Sequence, residues 1–280
     1  MENQTPNGAR FKEWAVPGPA APGSDGPPFE EPGVTLDAIS GQFRLLQLRE
    51  GHRFSTDDLL VAWYGTTHAP CVRTILDLGS GIGSVATIAA WRLQGAQVTT
   101  IEAQPESVAL ARRSATYNGL ESRMDIRQGD LRDLNLPAGF DLVLGSPPYF
   151  PPGSGIEGDH PQKVACRFEM RGDIADYCQA ARRHLAHAGV FAVVFPAHPE
   201  EQRARADRAA AAARLRRLRS RDIIFKEGDP PLLRVALYGR EEDFPRSVSE
   251  WCEPPLTIRL ADGRVHPEYS VIKMEIGFPP

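Results

Sequence analysis

Cysteine is scarce in this chain. Cys71, Cys166, Cys178 and Cys252 are the only four in 280 residues, and no two form a CxxC pair. Their spacings suit neither a zinc site nor a disulfide framework, so no metal is expected and the thiols are expected to be reduced, as in a cytoplasmic protein. Long apolar runs are also missing. No stretch reaches the ~18 apolar residues that a membrane-spanning helix needs. The opening MENQTPNGARFKEW has no apolar core of the kind found in a secretory leader, and none is expected. Charge of one sign is not in excess: 32 Lys and Arg face 36 Asp and Glu, a formal net charge of -4. That excludes a protein that coats nucleic acid without selectivity, though it leaves room for a local basic patch. No internal repeat is visible.

Proline and glycine are plentiful, with 25 of each. Residues 1–34 include VPGPAAPGSDGPPFEEPG. Such a segment loses more chain entropy on ordering than its few apolar groups return, which predicts a disordered extension. It carries too few positive charges to suggest a nucleic-acid tail. Residues 35–280 suffice for one α/β domain with a small N-terminal strand and helix element; 41% of the chain is hydrophobic.

From residue 71 onward, strand and helix patterns alternate. TILDLGS, AQVTTIEA, MDIRQGD, FDLVLGS and VFAVVFP read as strands. Between them, residues 84–93, PESVALARRSATYNG and DIADYCQAARRHLAHAG read as helices, the last closed by Gly189. This order predicts a parallel sheet with helices on both faces. Ahead of it, residues 41–49 read as a strand, and Ser55 or Thr56 caps a helix with Asp57 and Asp58 in its first turn. Residues 199–219 read as an Ala/Arg-rich helix, followed by two antiparallel strands, RDIIFKEG and LLRVALYGR.

The first chemical signal is Asp77-Leu78-Gly79-Ser80-Gly81-Ile82-Gly83, where a strand turns into a helix. Gly79 and Gly81 allow a tight turn and a close backbone approach to a ligand. Dinucleotide sites share that device, but there the helix N-terminus receives pyrophosphate. An acid two residues before the first glycine instead suits a cationic ligand such as S-adenosylmethionine, with its sulfonium and amino groups. Glu102 ends the next strand, where a carboxylate can accept from ribose hydroxyls, and Asp130 ends the third, placed to accept from an adenine amino group.

The second signal is Ser146-Pro147-Pro148-Tyr149-Phe150, at the end of the fourth strand. The bland reading is a proline-rich turn. The chemical reading starts from the exocyclic amine, a poor nucleophile because its lone pair is delocalised. Acceptors for both N–H bonds help, and Ser146 Oγ with the Pro147 carbonyl supplies two. Consecutive prolines stiffen the loop and remove backbone donors. Tyr149 can stack on a planar base. Positioning and electrostatics then carry the acceleration, with no strong general base required.

These motifs resemble class I methyltransferases of the N-methylating type, which usually carry NPPY or DPPY. More narrowly, the chain resembles the bacterial tRNA1(Val) adenine-37 N6-methyltransferase family. The resemblance runs over roughly residues 35–275 and is carried by LDAISGQFRLLQLREGHRFSTDDLLVAWY, SPPYF, CRFEMRGDIADYCQAARRHLAHAGVFAVVFP and VHPEYSVI. It implies a Rossmann-like fold with a mostly parallel seven-stranded sheet, S-adenosylmethionine as cofactor and an RNA substrate, tRNA first. It implies that Phe54, Thr56 and Asp57 line the cofactor site, and that Asp77, Gly79, Gly81, Glu102, Asp130 and Ser146 hold the cofactor. Ser146, Pro147, Pro148 and Tyr149 would hold the target amine as the catalytic loop. Ser146 is the departure, since the family usually has Asn there. A glutamine side-chain amide is an alternative acceptor, although such enzymes usually add a helical N-terminal domain that this chain lacks. Cytosine-N4 enzymes use SPPY but mostly place it before the glycine motif. A non-catalytic cofactor binder is the third alternative.

For the substrate, Phe150, Lys163 and Arg167 sit on or just after the loop, where the two cations can guide a phosphate. The run Arg203, Arg205, Arg208, Arg214, Arg216, Arg217, Arg219 and Arg221 is either a second phosphate-binding face or a solvated helix face. His52 and His160 read as ordinary loop histidines.

Overall fold

Leu142, Val143 and Leu144 are all buried, yet they divide between two cores: Leu142 and Leu144 face one, Val143 the other. Ala192 and Val194 alternate with Phe191, Val193 and Phe195 in the same way. Side chains that project to opposite faces along a strand, all apolar, require a sheet covered on both sides. The computed structural model describes residues 10–278, apart from 12–13, 16–17, 19, 28, 138, 152, 154–159 and 246.

The described chain begins with a two-residue ladder, β1 (Arg10–Phe11) with β2 (Trp14–Ala15), and an antiparallel hairpin, β3 (Val34–Ser40) with β4 (Phe43–Leu48). Then follow α1 (Thr56–His68), β5 (Thr74–Leu78), α2 (Ser84–Arg92), β6 (Gln97–Glu102), α3 (Pro105–Tyr117), β7 (Met124–Gln128) and β8 (Phe140–Gly145). The second half comprises α4 (Pro161–Arg167), α5 (Ile174–His184), β9 (Leu185–Pro196), α6 (Glu200–Ala212), β10 (Leu215–Lys226), β11 (Leu233–Arg240), β12 (Trp251–Arg259) and α7 (Pro267–Glu275).

The central sheet has eight strands in the order β12-β10-β11-β9-β8-β5-β6-β7, one more than the seven expected. The extra strand is β12, parallel to β10 at the sheet edge, in a tail that reads as irregular because Pro254 and Pro255 interrupt its apolar pattern. Pairing is parallel from β7 through β9, and antiparallel where β11 joins β9 and β10. From β5 the chain moves outward to β6 and β7, then returns to β8 on the other side of β5. That reversal opens a crevice at the carboxyl ends of β5 and β8, the usual ligand position in such sheets.

The β3–β4 hairpin is fastened to α3 by side chains. Leu46 N donates to Ser114 Oγ at 3.0 Å and Arg44 N to Asn118 Oδ1 at 2.8 Å. It therefore sets the position of the loop at 49–55 that follows it. Among the described residues of the expected disordered extension, Ala21 is buried, Pro22–Asp25 forms a 3₁₀ turn, and Glu31 pairs with Arg113 of α3. Those residues thus have a packed position, because the apolar surface of α3 offers them one; residues 1–9 lie outside the described residues.

Two boundaries differ from the sequence pattern. Helix α5 stops at His184, and Gly189 lies inside β9, where a Cβ would come within 2.8 Å of the Phe140 carbonyl. The Arg-rich run does not stay helical: α6 ends at Ala212, Arg214 turns with φ 54°, and residues from 215 form a strand against β11. Pairing with two neighbouring strands overrides the helical propensity of this segment. Among the described residues, no helix is long and apolar enough to cross a membrane.

Candidate active site

A cleft of about 560 Å³ occupies the crevice. Its floor is the turn after β5. Gly79 and Gly81 take φ values of 61° and 55°, in the left-handed region that favours glycine. A Cβ at Gly79 would lie 1.8 Å from the hydroxyl of buried Tyr177, whereas one at Gly81 would meet no atom within 4 Å. Ser80 Oγ is buried and has no hydrogen-bond partner among the described residues.

Acids form the wall. Asp77 is 1% exposed and its Oδ2 accepts from Ala86 N at 3.1 Å. Glu102 accepts from Gly81 N at 2.9 Å and from Gln104 N at 2.7 Å, tying the end of β6 to the glycine turn. Asp58 accepts from Ser84 Oγ at 2.9 Å and from Ser55 N at 3.3 Å, joining the N-termini of α1 and α2. Burial holds the Asp77 carboxyl well above the ordinary carboxylate range, and the neighbouring Asp58 and Glu102 add to the effect. Burial likewise raises Asp57, Asp58 and Glu102. Four desolvated carboxyls on one surface make a site that favours a cation.

The loop after β8 closes one end. Ser146, Pro147, Pro148, Tyr149 and Phe150 all line the cleft. Tyr149 donates from its hydroxyl to Asp57 Oδ2 at 2.6 Å, and its ring stands edge-on to Phe195 of β9, with centroids 5.6 Å apart. Phe150 is 41% exposed and contacts Phe168.

The rim has the opposite charge. Arg49, Arg53, Arg167 and Arg171 line the mouth and are exposed. Arg53 pairs with Asp37 at 2.8 Å; among the described residues, the other three form no ion pair. Buried acids inside, and at the mouth four arginines against the single exposed acid Glu50, give one cleft two electrostatic zones.

Most residues expected from the sequence meet here: Asp57, Asp77, Gly79, Gly81, Glu102, the Ser146–Phe150 loop and Arg167. Three do not. Phe54 packs its ring on Phe278. Thr56 is not among the described residues that line the cleft, since Ser55, Asp57 and Asp58 turn that way. Asp130 caps the 3₁₀ turn at 131–133 and holds Arg132 through both carboxylate oxygens. That cation depresses its carboxyl, and the cleft surface is made by Gly129 and Leu131 on either side. The Lys163 side chain lies outside the described residues.

The Arg-rich run is largely neutralised. Arg205 pairs with Glu169 and Asp173, Arg217 with Asp207 and Glu250, Arg219 with Glu253, and Arg221 with Glu268. It is not a single helix face, since it divides between α6 and β10, and six of its eight arginines have an acidic partner. Residues that the sequence reading passed over are Asp58, Tyr177, Arg49 and Arg171. Asp58 was visible as the acid of a Ser-x-x-Asp capping box; the others become neighbours of the glycine turn only through the fold.

A mostly parallel sheet with a glycine turn after its first central strand, and acids at successive strand ends, is the Rossmann-like architecture of S-adenosylmethionine-dependent methyltransferases. A solved Agrobacterium tumefaciens structure described as a predicted O-methyltransferase shares the fold, with a TM-score of 0.58, 19% identity, and coverage of 80% of this chain and 98% of that one. The chain belongs to the methyltransferase small domain family, whose model matches residues 58–207. It is similar to the tRNA1(Val) (adenine(37)-N6)-methyltransferase of Tolumonas auensis, 27% identical over 84% of this chain and 93% of that protein. It is also similar to the Yersinia pestis protein of the same name, 30% identical over 55% of this chain and 62% of that protein.

Proposed function

We propose that this methyltransferase transfers a methyl group to the exocyclic amine of an RNA adenine, at N6, with tRNA as the substrate in the cytoplasm. The observation that carries the reading is the two-zone cleft, acidic where a cationic cofactor would lie and arginine-rimmed where a polyanion would enter. The named relatives support the same substrate.

S-adenosylmethionine supplies a methyl group made electrophilic by its sulfonium. The residues present fit it. Gly81 leaves open space where any side chain would stand, Ser80 Oγ has no partner among the described residues, and the wall acids match a sulfonium and an ammonium. Asp57, Asp58 and Asp77 would hold the cationic part and Glu102 the ribose hydroxyls. Asp130 is left out of this set, because Arg132 takes both its oxygens.

At the other end, Ser146 Oγ and the Pro147 carbonyl would accept the two N–H bonds of the target amine. Holding both hydrogens aims the nitrogen lone pair along the transfer line, a positioning effect. The proton leaves after transfer, so no strong base is required. Exposed Phe150 and the Tyr149 ring offer apolar surfaces to a base swung out of its stack. Arg49, Arg167 and Arg171, together with Arg53, would take backbone phosphates around it.

The test is transfer of labelled methyl to separate pools of tRNA, rRNA, DNA and ribosomal protein, followed by nucleoside analysis. N6-methyladenosine in tRNA is the expected product. Label confined to protein or DNA, or no transfer despite cofactor binding, would overturn the substrate assignment.

A further inference from the structure

Asp57 stands on the cofactor wall, but its side chain is hydrogen-bonded to the acceptor loop. Its Oδ2 receives the Tyr149 hydroxyl at 2.6 Å, short for a hydrogen bond and typical of one to a carboxylate. The residue lies in the first turn of α1, and α1 is itself held in place by the Asp58 bonds to Ser55 and Ser84. Tyr149 is caught at two further points. Its ring meets Phe195 edge-on, the two planes at 86°, and its carbonyl accepts from Gln202 Nε2 of α6 at 3.4 Å. Phe195 is in turn fixed by β9 on one side and the Arg205 guanidinium on the other, 5.9 Å from the ring centre.

A tyrosine that served only as a stacking surface would need no such restraint on its hydroxyl. Without the Asp57 bond, the proline-stiffened loop would still be able to rotate its aromatic side chain about χ1 and χ2. With it, the ring plane is fixed before any base arrives.

We infer that Asp57 is a positioning residue for the acceptor loop: its carboxylate tethers the Tyr149 hydroxyl and presets the ring against which the target base is held. The inference rests on the reading of this loop as the acceptor site. It also gives Asp57 a double position, since a carboxylate has a second oxygen for the cofactor's ammonium while the first keeps the tether. Cofactor pocket and acceptor loop then share one side chain.

The experiment is a double-mutant cycle on Asp57 and Tyr149. It is read by kcat/KM for unfractionated tRNA at saturating S-adenosylmethionine, and by hydrogen–deuterium exchange of the Ser146, Tyr149 and Phe150 amides in the cofactor-free protein. Tyr149→Phe keeps the ring and loses the tether; a drop of roughly 10- to 100-fold in kcat/KM is expected, the range for losing a hydrogen bond to a charged acceptor. Asp57→Ala should cost a similar factor, and the double variant no more than either single one. Asp57→Asn retains an acceptor oxygen and should recover most of the activity. Exchange in the loop should quicken equally in Tyr149→Phe and Asp57→Ala and stay slow in Asp57→Asn. Cofactor affinity by calorimetry should be unchanged in Tyr149→Phe.

Losses that multiply in the double variant, or a fully active and fully protected Tyr149→Phe, would overturn the tether. Tyr149→Ala separates that failure from the failure of the acceptor-site reading. If Ala is inactive while Phe is normal, the ring acts and the tether does not. If both are normal, the loop is not the acceptor site and the tether falls with it.

Discussion

Two glycines two residues apart should respond to the same substitution through different quantities, Gly79 mainly through stability and Gly81 mainly through cofactor affinity. Gly79→Ala places a Cβ 1.8 Å from the Tyr177 hydroxyl, in a conformation with φ 61°. The left-handed backbone costs an L-residue roughly 1–2 kcal/mol. Van der Waals contact needs well over 3 Å, so Tyr177 or the turn must move by more than an ångström; overpacking of that kind costs roughly 1–3 kcal/mol. Tyr177 has little freedom to yield, being only 4% exposed. The sum is about 2–5 kcal/mol, which at ~2–4 °C per kcal/mol lowers Tm by roughly 4–20 °C. Gly81→Ala has the same backbone strain but no clash, since no atom lies within 4 Å of its Cβ. Its Tm should fall by only about 2–8 °C from the strain alone. Its methyl, however, enters the space assigned to the cofactor and should weaken S-adenosylmethionine at least ~10-fold, a loss of ~1.4 kcal/mol. Calorimetric unfolding and titration read the two quantities separately. Gly81→Ala with undiminished affinity would refute the placement of the cofactor over this turn.

Asp77→Asn retains an acceptor for Ala86 N but removes a buried charge. At neutral pH the empty protein should gain stability while cofactor affinity falls by ~10-fold or more, both measurable by calorimetry. A companion effect follows from the direction of the shifts. The Asp77 and Glu102 carboxyls are raised in the folded protein, so the empty state loses stability as pH climbs from their ordinary values through the raised ones. A cation favours the ionised forms; binding should therefore release protons and weaken as pH falls through that window, visible as buffer-dependent binding enthalpy. Replacing Arg49, Arg167 or Arg171 by Ala should each flatten the dependence of log affinity for RNA on log salt by ~0.7, the single-strand value per phosphate contact. Arg217→Ala should leave that slope unchanged, because Asp207 and Glu250 already neutralise it.

Local pattern carried the central strands and the two loops, because apolar alternation and glycine or proline turns are written in consecutive residues. It also placed Asp77, Glu102 and Ser146 at strand ends, where a parallel sheet gathers its ligands. Asp130 reads the same way, but Arg132, two residues on, captures it. The arginines between 203 and 221 look like a patch in one dimension; their partners Asp207, Glu250, Glu253 and Glu268 arrive from other elements. Arg49 and Arg171 were silent for the converse reason. Isolated in sequence, they become one rim only when the hairpin and the segment before α5 meet across the cleft.

In the proposed function, that convergence makes RNA binding depend on the docked hairpin. Half of the rim is carried by the loop that the β3–β4 hairpin delivers, and the hairpin is fastened to α3 by Ser114 and Asn118. The other half, Arg167 at the end of α4 and Arg171 just after it, lies across the crevice. A chain in which the hairpin had come loose could keep its glycine turn and acceptor loop yet present only half the positive surface. Under the proposed function, a copy without the docked hairpin would lose half of its phosphate contacts, and so its hold on RNA, before any methyl could be transferred.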